Sequence, residues 1–284
     1  GNPDRVLIGG NDENAIESLS NIYLNWIPKE KVLKTNIWSS ELSKLTANAF
    51  LAQRISSVNS ISSLCEITGA DIHQVCKAVG MDNRIGKEFL SPGPGFGGSC
   101  FQKDILNLVY LCNFYKLEEV ANYWQSVIEI NNWQKSRISK IIVNYLFGNV
   151  SGKKISILGF AFKANTNDTR ESPCIDICKD LLEEGAHLLI YDPKVENYKI
   201  EKDLEDKDIN NIDHGNWKIC SSIKESTLES DAIVILTEWK EFYDLDWDEL
   251  FRLMRKPSWI FDTRKCINYQ KAKKAGFNIW EIGN

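Results

Sequence analysis

Apolar residues between positions 37 and 147 recur three and four places apart, which is the period of an amphipathic α-helix. The pattern predicts one long helix that a serine at position 39 or 40 caps and that Gly69 ends. Three further helices are predicted over residues 71–79, 101–115 and 118–147. The apolar stripe of the long helix consists of Leu42, Leu45, Ala49, Ala52 and Ile55.

From Lys153 onward the pattern changes, and short apolar runs alternate with helical segments. Such an alternation predicts a parallel, doubly wound sheet whose ligand crevice lies at the carboxyl ends of its strands. The polar, acidic segment 202–216 is predicted to be a solvated surface loop. Strands are predicted at 154–158, 187–191, 232–236, 259–261 and 279–282, with a helix at 173–184.

The first 36 residues carry a strand pattern at 5–10, a helix pattern at 13–26 and a strand pattern at 31–35, and the first residue is not methionine. One strand–helix unit and one extra strand are too little for an independent domain. We therefore expect the chain to begin inside a domain, and we divide it into 1–36, a helical region at 37–147 and an α/β domain at 148–284.

Composition narrows the class of protein. The chain has 284 residues, of which 43% are hydrophobic, so it is globular and large enough for two cores. The net charge of −5, with both signs interleaved, argues against a nucleic acid or an anionic membrane as partner. No apolar run is long enough to cross a membrane. The eight cysteines are too sparse for a disulfide scaffold and lack metal-ligand spacing, so we expect reduced thiols, no metal and a cytoplasmic location.

Cys100 is the main candidate for chemistry. It ends the glycine-rich run 91–100 and begins a predicted helix whose first turn carries Lys103 and Asp104. The helix dipole and a nearby cation both favour a thiolate, and glycines let a backbone approach a ligand closely. A buried, inert cysteine is the simpler interpretation of an arbitrary thiol. Four glycines and the carboxylate one turn later favour a nucleophile here.

Two further groups are less specific. Lys44 and Asn48 lie four residues apart and share a helical face, although spacing alone favours an ordinary solvated face. After the strand at 154–158 the sequence lacks the G-x-G-x-x-G spacing of a dinucleotide turn. Its long connection instead carries Lys163 and Arg170, and Arg264 follows a later strand. Three cations on one predicted rim favour a nucleotide diphosphate over unrelated surface ion pairs.

Four segments of the chain carry a resemblance to a known family: Asn2–Gly10, Ser39–Phe50, Gly95–Asp104 and Gly159–Lys163. Together they resemble the UDP-glucose/GDP-mannose dehydrogenase family. The resemblance is collinear over nearly the whole chain and is weakest between 199 and 224. It implies an N-terminal NAD-binding Rossmann domain, of which 1–36 would be the last part, a central helical domain, and a Rossmann-like domain for a UDP-sugar.

The resemblance implies oxidation of UDP-glucose to UDP-glucuronate with NAD as the cofactor. Cys100 would carry a thiohemiacetal and then a thioester, while Lys44, Asn48 and Asp104 would stabilise oxyanions and orient water. Lys103 and Arg170 would contact the cofactor. The implied sugar-nucleotide contacts are Phe89, Leu90, Ser91, Gly93, Gly95, Phe96, Gly97, Phe162, Lys163 and Arg264.

The resemblance also implies a homo-oligomer, at least a dimer through the central helices, in which Arg84 reaches the substrate of a neighbouring subunit. Two departures from the family pattern matter. Ser91 replaces a lysine that animal members typically carry, and the glycine-rich NAD motif and catalytic glutamate of the N-terminal domain are missing. We therefore expect the isolated chain to bind NAD poorly and to turn over negligibly.

Three alternatives remain open from sequence. A dehydrogenase for GDP-mannose or UDP-N-acetylmannosamine would share the main motifs. A non-catalytic UDP-sugar-binding oligomerisation module would need the pocket but not the thiol. A cysteine hydrolase would need one of His73, His187 or His214 near Cys100, although none is close in sequence.

Overall fold

A computed structural model describes residues 3–205 and 215–284. The chain starts with a small parallel sheet of two strands, β1 (Val6–Gly9) and β2 (Val32–Thr35), joined through helix α1 (Glu13–Tyr23). Asp12 caps α1, because its carboxylate accepts hydrogen bonds from the amides of Asn14 and Ala15. The predicted strand–helix–strand order is confirmed.

Four helices follow: α2 (Ile37–Thr68), α3 (Ile72–Gly80), α4 (Phe101–Phe114) and α5 (Glu118–Tyr145). The predicted serine cap of α2 is wrong. The side chain of Asn36 accepts the Ser39 amide at 2.7 Å, so the helix begins before the serines. Gly69 ends α2 in the left-handed conformation, as predicted. Helices α2, α4 and α5 pack against one another around a buried apolar cluster that includes Ala52, Ile105 and Trp124.

The second part of the chain is a six-stranded, wholly parallel sheet with strand order β5-β4-β3-β6-β7-β8. This order is that of a doubly wound nucleotide-binding fold, and its direction reverses between β3 and β6. The predicted fold class is therefore confirmed. The strands are β3 (Lys154–Leu158), β4 (His187–Tyr191), β5 (Asn216–Ile219), β6 (Ala232–Ile235), β7 (Trp259–Asp262) and β8 (Asn278–Glu281).

Helices cover both faces of this sheet and bury an apolar core around β3, β6 and β7. The helices are α6 (Pro173–Glu183), α7 (Asn197–Leu204), α8 (Ile223–Thr227), α9 (Trp247–Leu253) and α10 (Tyr269–Ala275). The long helix α5 packs on α6 and joins the helical region to the sheet. The ligand crevice expected at the reversal of strand order lies where the chain leaves β3 and β6.

The loop predicted over 202–216 is wrong at both ends. Residues 202–204 complete α7 and Asn216 begins β5, while 206–214 lie outside the described residues. All eight cysteines are free thiols. Within the described residues, we find no helix that combines the length and the hydropathy needed to cross a membrane.

Candidate active site

Buried amide side chains from two helices hold the glycine-rich loop. Asn131 of α5 accepts the Phe96 amide at 2.8 Å and donates to the Phe96 carbonyl at 3.1 Å. At Gly93, Asn59 of α2 accepts the amide at 2.9 Å and Gln134 of α5 donates to the carbonyl at 2.8 Å. All three amides are fully buried. The loop therefore has a fixed backbone, whereas its glycines alone would predict a flexible one.

The same loop packs against the segment that follows β3. The Gly98 amide donates to the Arg170 carbonyl at 2.8 Å. A Cβ atom on Gly97 would lie 2.3 Å from the Glu171 carbonyl oxygen and 3.0 Å from the Cβ of Phe162. Position 97 therefore requires glycine, because any side chain would prevent the close approach of the loop to Glu171 and Phe162. The loop forms a seam between the helical region and the six-stranded sheet.

Cys100 lies at the end of this seam and precedes the first residue of α4. Its thiol is exposed, which contradicts the interpretation as a buried, inert cysteine. The Ser99 hydroxyl lies 3.7 Å from the Cys100 sulfur. The thiol therefore stands at a helix N-terminus within reach of a ligand.

Lys44, Asn48 and Asp104 come together beside Cys100. The Lys44 amine lies 3.3 Å from the Asp104 carboxylate, and the Asn48 amide donates to the same carboxylate oxygen. The Asp104 amide donates to the Cys100 carbonyl at 2.9 Å, so Asp104 lies one helical turn after the thiol residue. Asp104 is mostly buried whereas Lys44 is exposed, so the amine can turn from Asp104 towards a ligand. These contacts favour a site over the solvated face that spacing alone suggested.

Arg264 occupies the crevice at the reversal of strand order. Its guanidinium donates to the carbonyls of Leu236 at 2.9 Å and Phe162 at 3.3 Å, and it pairs with Glu238 at 3.2 Å. A Cβ atom on Gly93 would lie 3.1 Å from the same guanidinium. Arg264, one of the cations of the predicted rim, therefore lies against the start of the glycine-rich loop. Lys163 is exposed above the Phe162 ring, with 5.4 Å between its amine and the ring centroid.

Lys103 and Arg170 line one side of a groove of about 760 Å³ next to Cys100. Arg170 makes a bidentate pair with Asp168, and hydrogen bonding from the guanidinium lowers the pKa of that carboxyl. Hydrogen bonding to Asp168 also raises the pKa of Arg170, so this cation stays charged beside the groove.

The remaining predicted residues lie around the loop. Phe89 has a φ of +59° and packs edge-to-face on Phe101, at 6.4 Å between ring centroids. Leu90 packs with the apolar cluster of α2 and α3, Ser91 is exposed, and Gly95 lies against Asn131. Arg84, expected to reach the substrate of a neighbouring subunit, is exposed and pairs with Asp82 in its own turn.

Sequence reasoning missed Asn59, Asn131, Gln134 and Glu238. The three amides interrupt apolar helix stripes, and that interruption is the signal that could have found them. Of the histidines, His73 lies in α3 and His187 in β4, whereas His214 lies outside the described residues.

Fold and site together define a class of protein: an α/β chain in which a loop that ends in an exposed thiol packs against the crevice of a nucleotide-binding sheet. Comparison with known proteins narrows the class. Residues 38–133 match the central domain of the UDP-glucose/GDP-mannose dehydrogenase family, and residues 156–269 match the UDP binding domain of the same family. The chain therefore belongs to this family.

Its relatives include UDP-glucose 6-dehydrogenase 2 of Arabidopsis thaliana, with 51% identity over 99% of this chain and 62% of the relative. The UDP-glucose 6-dehydrogenase of Drosophila melanogaster is 53% identical over 99% of this chain and 61% of the relative. A solved UDP-glucose dehydrogenase from Pyrobaculum islandicum superposes with a TM-score of 0.81 and 29% identity, over 99% of this chain and 59% of that one. The chain thus spans about three fifths of the length of the relatives it matches.

Proposed function

We propose that this chain supplies the thiol and the sugar-nucleotide pocket of a UDP-glucose 6-dehydrogenase, which oxidises UDP-glucose to UDP-glucuronate. The observation that carries the proposal is the exposed Cys100, presented by a loop that contacts both the central helices and the crevice of the UDP binding domain. Relatives at 51% and 53% identity carry the name UDP-glucose 6-dehydrogenase, which favours UDP-glucose as the sugar nucleotide.

In this proposal the Cys100 sulfur attacks the C6 aldehyde that the first oxidation produces. A C–S bond forms, and the carbonyl oxygen takes a proton to give a thiohemiacetal. Loss of a hydride from C6, together with loss of the proton from its hydroxyl group, converts it into a thioester. Water then attacks the thioester carbonyl, the C–S bond breaks, and the thiolate leaves. A thiolate suits both roles because it is a strong nucleophile and a good leaving group.

Lys44, Asn48 and Asp104 would act on the oxygen atoms in these steps. The amine and the amide can donate to an oxyanion at C6, while the Asp104 carboxylate can accept a proton from the attacking water. In the structure the amine and the amide both contact Asp104, which preorganises the group before substrate arrives.

The groove beside Cys100 is lined by the cations Lys103, Arg170, Lys179 and Lys202 and by the carboxylates Glu171, Asp176 and Asp203. The cations outnumber the carboxylates by one, which favours an anionic ligand. We propose that Lys103 and Arg170 hold NAD there. When bound, NAD accepts a hydride in each of the two oxidations. No strand in the described chain leads into a G-x-G-x-x-G turn, so we expect this chain by itself to bind NAD weakly and to turn over negligibly.

Arg264, Lys163 and Phe162 would hold the UDP-sugar from the sheet, and the loop 89–97 would hold it from the helices. Two carbonyls and Glu238 hold the Nε and Nη2 atoms of Arg264, and its Nη1 atom lies against Gly93, from where it would donate to a diphosphate in the crevice. Ser91 would contribute no charge to that contact.

Arg84 supports a proposal of a homo-oligomer. Its side chain is 89% exposed and lies at the edge of an apolar groove between α2 and α3. We expect a second copy of the chain to cover this groove. Arg84 would then lie next to the sugar-nucleotide pocket of that second copy and not next to the pocket of its own chain. The groove is lined by Phe50, Ile61, Ile72, Val79 and Leu90, among others.

Alkylation of cysteines by iodoacetamide, followed by peptide mass spectrometry, tests the thiol and the ligand together. We expect Cys100 to react fastest and UDP-glucose to protect it, whereas Cys76, half-buried in α3, keeps its rate. Protection of Cys100 is also measured with UDP-N-acetylmannosamine and with GDP-mannose in place of UDP-glucose. Protection by either of them but not by UDP-glucose contradicts the assigned substrate.

The variant Cys100→Ser, with Cys76→Ser as its matched control, separates binding from catalysis. We expect Cys100→Ser to keep its UDP-glucose-induced melting shift, because the thiol is not needed for binding. In the complete enzyme this variant should lose formation of UDP-glucuronate. Full activity in Cys100→Ser would show that the chain contributes only a non-catalytic binding module.

A further inference from the structure

A buried polar chain connects the end of the last strand to the glycine-rich loop. The Gly283 amide, which follows β8, donates to Glu66 of α2 at 2.8 Å. The other oxygen of Glu66 pairs with the guanidinium of Arg137 on α5. Arg137 also donates to the side-chain oxygen of Gln134 at 3.2 Å, and Gln134 in turn donates to the Gly93 carbonyl.

Both charged members of this chain are largely removed from water. The side chains of Arg137 and Glu66 are only 12% and 15% exposed. The Arg137 guanidinium also lies 5.6 Å from the centroid of the Trp133 ring. Its position is therefore set by contacts on several sides, and loss of the guanidinium would leave Glu66 without its counter-ion.

The direction of the Gln134 amide depends on Arg137. A primary amide can be turned by 180° with little change of shape, which exchanges its oxygen with its NH₂ group. Since Arg137 only donates, its contact fixes the oxygen on its own side and the NH₂ group on the side of Gly93. In the opposite direction two oxygens would face each other at Gly93, which is unfavourable.

We propose that Arg137 is a positioning residue for sugar-nucleotide binding, which acts through Gln134 on the Gly93 backbone. Gly93 lies against the Arg264 guanidinium, since a Cβ atom on Gly93 would be only 3.1 Å from it. The orientation of Gln134 therefore sets the distance between the glycine loop and the cation that would hold the diphosphate. This inference rests on the proposed function, because it assigns a role in binding the same ligand.

The test compares UDP affinity by isothermal titration calorimetry in the full chain and in the variant Arg137→Met. We expect about tenfold weaker binding, the effect of about one hydrogen-bonded contact to a charged group. Arg255→Met is the matched control, because Arg255 pairs with Asp231 and Glu229 next to the amino end of β6, away from the crevice. It should bind UDP like the unchanged chain.

Two more variants separate positioning from simple stability. Gln134→Met should weaken binding to a similar degree, and the double variant should bind within about twofold of Gln134→Met, because both changes remove the same contact. Gln134→Glu keeps an acceptor for Arg137 but places an oxygen against the Gly93 carbonyl. It should fold and still lose UDP affinity, and unchanged affinity would refute the Gln134–Gly93 contact on which the role of Arg137 depends, even if Arg137→Met does not fold.

The outcomes distinguish the two claims. If the unchanged chain does not bind UDP, both the proposed function and this inference fail. If it binds UDP and Arg137→Met binds equally well, only the inference fails. Independent losses in the two single variants that multiply in the double variant also refute it, since Arg137 would then act by another route.

Discussion

The amide of Asn131 is the strongest single restraint on the loop that carries the thiol. It satisfies both the N–H and the C=O groups of Phe96, a residue buried in the apolar cluster of the central helices. Replacement of Asn131 by leucine keeps a similar volume and removes both hydrogen bonds. We predict that Asn131→Leu destabilises the fold and loosens the loop.

The magnitude follows from the two backbone groups that lose their partners. An unsatisfied buried polar group costs about 1–3 kcal/mol, so two of them cost about 2–6 kcal/mol. The added apolar surface of the leucine offsets about 1 kcal/mol of this. We therefore expect the free energy of unfolding to fall by about 3 kcal/mol. In a domain of this size that corresponds to a decrease of roughly 6–12 °C in Tm.

Asn132→Leu is the matched control, since it makes the same substitution one residue later at an exposed position. Urea unfolding followed by circular dichroism measures the free energies, and hydrogen exchange of the Phe96 amide measures the loop. We expect the control to change the free energy by less than about 0.5 kcal/mol. Equal stability of the two variants, with unchanged exchange at Phe96, would refute the view that Asn131 holds the loop.

Three further predictions concern the same site. Gly97→Ala should weaken UDP-glucose binding at least about tenfold in calorimetry, because its Cβ would collide with the Glu171 carbonyl; unchanged affinity would contradict the close approach. Asp104→Asn should leave binding within about threefold but lower kcat of the complete enzyme about a hundredfold, and a kcat near that of the unchanged enzyme would exclude Asp104 as a base. Because Arg170 lowers the pKa of Asp168, the stability from this pair is present above about pH 4 and is lost as the pH falls further. Asp168→Asn should therefore make the decrease of Tm between pH 5 and pH 2.5 smaller. An equal decrease in the variant and in the unchanged chain would contradict the assignment.

Local patterns were enough to predict most of the fold. The strand β6 is a continuous apolar run and the strands β3 and β4 are rich in apolar residues, a composition typical of parallel strands buried on both faces. The edge strand β5 was missed, because its four residues alternate between exposed and partly buried and follow a polar segment. The cap of α2 was placed three or four residues too late, since several residues of capping type occur in succession and only the backbone shows that Asn36 is extended.

The candidate site was predictable only where its residues are close in sequence. The loop and Cys100 form one continuous motif, and Asp104 follows one turn later. Asn59, by contrast, contacts Gly93 across 34 positions, and Asn131 contacts Phe96 across 35. Their partners are backbone atoms of a loop, which carry no sequence signal. Only the helix packing brings these groups together, so no spacing rule could pair them.

The loop fixes the main chain before Cys100 but leaves the thiol free, and this division suits the proposed chemistry. Backbone groups of Gly93, Phe96 and Gly98 are each bound to another part of the chain. The thiol is exposed, and the Ser99 hydroxyl lies 3.7 Å from its sulfur. A nucleophile that forms and breaks a C–S bond must turn between substrate and solvent while its Cα stays in place. Rigid packing around the sulfur would oppose that movement, whereas a mobile main chain would lose the alignment with the crevice.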